Sequence, residues 1–294
     1  MVDLNTRIPS APAGMELWYG LAISDNGAIA AYANMGTVLL GGSSTAPVVG
    51  PIAASDPVAA GVAVAVSAGF TDVDATDTHA AQWTWGDASS GAGVVSQNAG
   101  SGTASGSHAF TAAGIYTVSV LITDSTGRTA TVSRDIVVYD PSAGFVTGGG
   151  WINSPAGAYK ADQTLAGRAT FGFVSKYQKG ATKPSGNTEF QFRAAKLNFE
   201  SSNYDWLVVA GARAQYKGTG TINGAGTYKF LLTAIDGAVR GGGGLDRFRI
   251  KIWHYDATLQ ADVVDYDNQI DTSAEGTLTE GTVIGGGSIV IHAK

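Results

Sequence analysis

Eight residues, Tyr116-Thr117-Val118-Ser119-Val120-Leu121-Ile122-Thr123, set Tyr116, Val118, Val120 and Ile122 against Thr117, Ser119, Leu121 and Thr123. That period of two is the period of a strand with one buried face, and Asp124-Ser125-Thr126-Gly127 behind it supplies a turn. No stretch of the chain sustains an apolar stripe at helical spacing, so short strands and tight turns must build the core. The 41 glycines and the low charged fraction of 14% fit this reading, with Thr, Ser, Ala and Val filling the segments between turns. The expected class is all-β.

At 294 residues the chain exceeds what one core ordinarily organises. Proline-rich and small-residue stretches mark two boundaries. Gly41 to Pro47 with Pro51 to Pro57 forms the first, and Tyr139-Asp140-Pro141-Ser142-Ala143-Gly144 forms the second. The pieces are therefore 1–45, a short β unit; 46–141, a β-sandwich; and 142–294, a second sandwich of jelly-roll type with nine strand candidates.

In the first piece, strands at Glu16 to Ile23, Gly27 to Tyr32 and Gly36 to Leu40 are separated by Ser24-Asp25-Asn26-Gly27 and Asn34-Met35-Gly36, and Asn-Gly is a strong hairpin signal. The pattern Ala22-Ile23-Ser24-Asp25-Asn26-Gly27-Ala28-Ile29, followed by Thr37-Val38-Leu39-Leu40, resembles the HAF repeats of bacterial extracellular propeller-like proteins. One such unit leaves strand edges and apolar faces without neighbours. It is therefore expected to lean on the following domain, on blades upstream, or on another copy by strand addition through Leu17, Tyr19, Leu21 and Ile23.

The middle piece carries Phe70-Thr71-Asp72, Trp83-Thr84-Trp85-Gly86-Asp87, His108-Ala109-Phe110, Gly114 to Val118 and Thr123 to Gly127. These resemble the PKD family, an immunoglobulin-like sandwich of surface and secreted proteins. The sequence departs from that pattern at Thr84, where the family often has Asp, and at Ala88, where it usually has Gly. The third piece resembles the post-COAP-1 C-terminal domain of bacterial multidomain surface proteins through Phe145 to Ile152, Phe171 to Tyr177, Asp205 to Val209 and Phe248 to Trp253. That resemblance implies no activity. Together the three imply a bacterial protein that is extracellular or on the cell surface.

The chemistry-bearing residues are few. Asp72, Asp74 and Asp77 with His79 crowd one loop, and Asp262, Asp265 and Asp267 flank a hairpin after Asp256. Such acids either hold Ca²⁺ with carboxylate oxygens or cap turns with their own hydrogen bonds. No cofactor is required, and Ca²⁺ is the ion these groups suit. The histidines His79, His108, His254 and His292 lack zinc-hydrolase spacing, no Gly-x-Ser-x-Gly elbow occurs, and there is no cysteine nucleophile or thiolate ligand. No catalytic residue is assigned, and the chain reads as a non-enzyme.

Trp206, Trp253 and Tyr255 serve either as core aromatics or as a sugar-stacking platform. A net charge of −6 with dispersed lysines and arginines gives no footprint for nucleic acid, and no apolar run is long enough to insert in a membrane. The expected partners are therefore the chain itself, in a head-to-tail homopolymer, or a surface glycan. The leading reading is a structural protein forming a fibre or appendage by β-strand augmentation. The alternatives are a carbohydrate-binding or adhesion module, and the accessory C-terminal part of a larger secreted protein.

Overall fold

The computed structural model describes residues 13–23, 29–40, 45–270 and 281–293. The all-β expectation holds, because strands account for nearly all regular structure among them. The N-terminal sheet runs β1 (Leu17–Ile23), β2 (Ile29–Ala33) and β3 (Gly36–Leu40), antiparallel and in that order. The predicted Asn34-Met35 turn joins β2 to β3, and Asn34 fastens it by accepting from the Glu16 N–H at 3.0 Å and donating to the Gly14 carbonyl at 2.8 Å. The Asn26-Gly27 turn lies outside the described residues. Leu17, Ala31 and Ala33 form a small core with Met15 and Val38 against it.

Two compact units follow from the packing: residues 1–55, 64–108 and 117–135, and residues 56–63, 109–116 and 136–294. The next strands are β4 (Val48–Val49), β5 (Ala53–Ala54), β6 (Val58–Ala59), β7 (Ala63–Thr71), β8 (His79–Thr84), β9 (Ser90–Ala92), β10 (Val94–Asn98), β11 (Ser101–Ala109), β12 (Gly114–Asp124) and β13 (Thr129–Tyr139). In the first unit one sheet runs β10-β11-β7-β4, with β5 also on β7, and the other runs β13-β12-β8-β9. Val64, Val66, Ala68 and Phe70 alternate inward along β7, as Ala81 and Trp83 do on β8 and Val118, Val120 and Ile122 on β12. Burying a side chain of the Val, Ile or Phe kind contributes about 1.5–3 kcal/mol, so these rows hold the sandwich together. Trp83 is fully buried and stacks on Trp85 at 5.8 Å.

At the turn after Trp85 the backbone explains a departure from the PKD pattern. Ala88 sits at φ +69°, a left-handed conformation that glycine adopts without cost. Ala88→Gly is therefore expected to stabilise the protein by roughly 0.5–1 kcal/mol, read as a higher denaturation midpoint. An unchanged or lower midpoint would show that the turn holds no strain.

The second unit is dominated by one long antiparallel sheet. Its strands are β14 (Gly144–Ser154), β15 (Gly167–Tyr177), β16 (Pro184–Phe192), β17 (Leu197–Ala210), β18 (Arg213–Ile222), β19 (Ala225–Ile235), β20 (Arg247–Asp256), β21 (Ala261–Asp267), β22 (Thr282–Val283) and β23 (Gly286–Ala293). Strands β14 to β21 are laid down side by side in chain order, β23 returns beside β14, and β22 pairs with β20. This corrects the jelly-roll connection expected for the third piece, whose strands would cross between sheets. Short turns link β16 to β17, β17 to β18, β18 to β19 and β20 to β21, longer loops at 155–166 and 236–246 join β14 to β15 and β19 to β20, and sequential neighbours joined in this way build a meander. A single helical turn at Arg193–Ala195 separates β16 from β17, and Lys196 after it takes the left-handed conformation.

The sheet curls so that distant strands share one core. The rings of Phe171 on β15 and Phe248 on β20 stack at 4.0 Å, and Tyr266 on β21 donates to Ser154 on β14 at 2.8 Å. A second cluster joins Val137, Trp206 and Val208, with Ile115 and Tyr139 packed against it. There β6 pairs with β13 in parallel, Val58 opposite Val138.

Candidate functional site

The loop after β7 reverses at Asp72 to Asp77, and its acids separate into two jobs. Asp74 is a local clamp that accepts from the N–H of Thr45 at 2.8 Å and its hydroxyl at 3.0 Å. Asp72 accepts from the Asp74 N–H at 2.9 Å and lies 3.0 Å from His79 Nε2. Gly100 makes this loop possible. Its backbone sits at φ +76°, its carbonyl accepts the Asp72 N–H at 2.6 Å, and a Cβ there would collide with the Asp72 carbonyl oxygen.

Asp77 is met by a residue that sequence reasoning left in a turn. One carboxylate oxygen each from Asp72, Asp77 and Asp124 lies within 4.8 Å of the others. Strand register brings this about, since Asp124 on β12 stands opposite His79 on β8. Asp124 is only 5% exposed. Burial pushes its carboxyl up, but hydrogen bonds from the Arg128 and Thr126 N–H groups and the Thr126 hydroxyl more than offset this and hold it below the ordinary aspartate value. All of those bonds end on Oδ1. Its Oδ2 is buried without a hydrogen-bond partner, and so is Oδ2 of Asp77, whose Oδ1 accepts from Ser125 at 2.8 Å.

Two buried, unpartnered carboxylate oxygens beside a third carboxylate repel one another and carry an uncompensated desolvation cost. A hard divalent cation bound by oxygen relieves both, and Ca²⁺ takes six to eight such ligands in flexible geometry. The residues fit that ion. Asp72, Asp77 and Asp124 would hold it, with Asp74 shaping the loop around them.

The second predicted acid group is corrected. Asp262 accepts from Lys229 Nζ at 3.2 Å and Trp253 Nε1 at 3.0 Å, Asp265 lies 2.7 Å from His254 Nδ1, and Asp267 takes Arg249 in a two-pronged pair at 3.0 and 2.7 Å. Each carboxylate has its own donor along β21, so no shared ligand set arises. The expected glycan platform is corrected likewise. Trp206 is 6% and Trp253 9% exposed, the first packed on Val137 and Val208, whereas Tyr255 is 57% exposed. Two buried rings leave no stacking surface for a sugar.

In the N-terminal sheet the four expected assembly residues divide. Leu17 is buried in the sheet's own core, whereas Tyr19, Leu21 and Ile23 are 57%, 53% and 72% exposed. Register irregularities between Leu17 and Tyr19 and between Gly20 and Ala22 break the simple alternation that would have put all four on one face. Trp18 is also exposed and packs on Tyr32 at 5.7 Å, with Tyr19 stacked on the same ring at 5.6 Å.

No helix among the described residues is long and apolar enough to cross a membrane. None of the curated proteins matches this sequence. PKD domains occur in extracellular or cell-surface proteins, often in adhesive or structural roles, and their immunoglobulin-like all-β fold is typically non-catalytic. The sandwich that carries the three-aspartate site is of this kind: residues 44–138 match the family model described as PKD domain, a stretch that covers all but the last three residues of the middle piece and less than half of the chain.

Proposed function

We propose that this chain is a non-catalytic structural protein of the cell exterior whose copies join head to tail through the N-terminal sheet. The observation that carries the reading is the set of exposed side chains Trp18, Tyr19, Leu21 and Ile23 on a three-stranded sheet whose order, among the described residues, leaves β1 and β3 at its edges. Monomeric proteins blunt such edges, and an apolar edge strand is a template for pairing with another chain. The two irregularities blunt β1 as a hydrogen-bonding edge, while β3 pairs evenly with β2 over all five residues. The division of labour is then that β3 accepts a strand and the β1 side chains supply apolar contact. A heterologous contact of this sort propagates as a filament when its rotation does not close. Ca²⁺ at Asp72, Asp77 and Asp124 stiffens the PKD module within the assembly.

Electron microscopy and light scattering of the full chain test this. The wild type is expected to form polymers, and Leu21→Lys with Ile23→Lys, or deletion of residues 1–42, to leave monomers with unchanged circular dichroism of the remaining sandwiches. Polymers that persist in both variants, or a wild type that stays monomeric at all concentrations, would overturn the strand-addition reading.

A further inference from the structure

We infer that calcium at Asp72, Asp77 and Asp124 also fastens the first strand of the PKD sandwich, so that the ion sets how firmly the chain arriving from the N-terminal sheet is anchored at Thr45. This rests on the calcium reading of the three-aspartate site and gives that site a regulatory output. Strand β3 ends at Leu40, and only residues 41–44 separate it from Thr45.

Thr45 joins the sandwich on the calcium loop itself. Its N–H donates to Asp74 Oδ2 at 2.8 Å, its hydroxyl donates to the same oxygen at 3.0 Å, and Asp72 Oδ1 lies 3.5 Å from that hydroxyl. Asp74 is buried, and among the described residues the donors to its carboxylate both belong to Thr45. A buried carboxylate stripped of its donors is costly, so Asp74 and Thr45 stay together or part together. Asp74 is placed in turn by Asp72, whose Oδ1 accepts its N–H at 2.9 Å. A chain of hydrogen bonds therefore runs from one carboxylate of the ion site to the residue at which the chain enters the sandwich.

Beyond Thr45 the hold is thin. Strand β4 is two residues long, with Val48 opposite Thr71 and Val49 opposite Phe70, the two residues that lead into Asp72. The Gly50 N–H then donates to the Gly69 carbonyl at 2.8 Å. Val48 is exposed, so little apolar burial backs these bonds. Local opening draws on segments of this sort, with short pairing and few buried contacts.

Three carboxylates gathered without a cation push Asp72 away from Asp77 and Asp124, and whatever shifts Asp72 also shifts its bond to the Asp74 N–H and the end of β7 that carries β4. A bound cation reverses this. It draws the acids inward and sets Asp74 where Thr45 meets it. Such coupling is reciprocal, so the Thr45 clamp tightens the ion as much as the ion tightens the clamp. In an assembly joined through the N-terminal sheet, tension enters the sandwich at this residue.

Hydrogen exchange followed by mass spectrometry on the full chain, in calcium and in chelator, tests this beside melting temperatures of the same samples. Exchange of the Thr45, Val48 and Val49 amides is expected to slow about tenfold with calcium. Asp124→Asn is expected to abolish that slowing, although the bonds of Asp124 go to Thr126 and Arg128 and not to Thr45. Asp74→Ala is expected to leave the three amides fast in calcium while the ion still raises the melting temperature, with calcium affinity weakened about tenfold by reciprocity. A wild type whose melting temperature rises with calcium while these amides exchange unchanged would overturn the clamp and leave the ion site standing. A melting temperature that does not rise would remove both. A slowing that is lost in the Leu21→Lys, Ile23→Lys variant would belong to assembly and would overturn the proposal as well.

Discussion

Calcium added to chelator-treated protein is expected to raise the melting temperature of the PKD sandwich by roughly 10 °C at saturating ion, and Asp124→Asn to abolish the rise. An ion bound only by the folded state at a hundred times its dissociation constant stabilises by about 2.7 kcal/mol, which sets that scale. The substitution separates the ion site from ordinary turn chemistry. The asparagine amide keeps an oxygen for the Thr126 and Arg128 N–H groups, but it removes one of the charges gathered with Asp72 and Asp77. In chelator the variant should therefore melt at or above the wild type, because the repulsion is relieved. With calcium the order should reverse. A wild type indifferent to calcium, or an Asp124→Asn variant that still responds fully, would leave the three carboxylates as turn acids alone.

The second large effect lies in the other unit. Asp267→Ala is expected to cost about 3–5 kcal/mol, because it leaves the Arg249 guanidinium charged and buried with its carboxylate removed. Both side chains are under 10% exposed, and the pair is two-pronged, with Asp267 also accepting from the Gln269 N–H at 3.0 Å. Replacing both members by Met and Leu should restore most of the loss, since well-packed apolar residues commonly equal a buried ion pair. Asp262→Asn provides the contrast. Its partner Lys229 is 3.2 Å away and both are more than 40% exposed, so under about 1 kcal/mol should be lost. Urea denaturation of the wild type and the three variants measures all of this. Equal losses for Asp262 and Asp267 would indicate a shared function of the kind first read from their spacing, and would contradict separate pairing.

These two contrasts show where reading the sequence succeeds and where it stops. The strand at Tyr116 to Thr123 and the two-residue turn at Asn34-Met35 were legible because side-chain alternation and turn chemistry are local. The loop acids Asp72 and Asp77 were legible as a cluster for the same reason, being close in the chain. Asp124 was not, because only the pairing of β12 with β8 carries it back to that loop from a distant part of the chain. Trp206 and Trp253 misled for a related reason. Aromatic side chains in strands look alike in sequence whether they face a core or a ligand, and for Trp206 the packing of Val137 and Val208 decides for the core.

Local physics, then, decided the all-β class, the turns at Asn34-Met35 and after Asp124, and the inward row of β12. Each depends on neighbours one or two residues apart. What joins across strands belonged to the tertiary structure: the meander in place of a jelly roll, the third carboxylate of the cation site, the private partners of Asp262, Asp265 and Asp267, and the clamp of Thr45 on Asp74. The reason is that a strand's own pattern specifies which face is buried but leaves open which strand lies beside it and in what register, and charges meet only once that register is set.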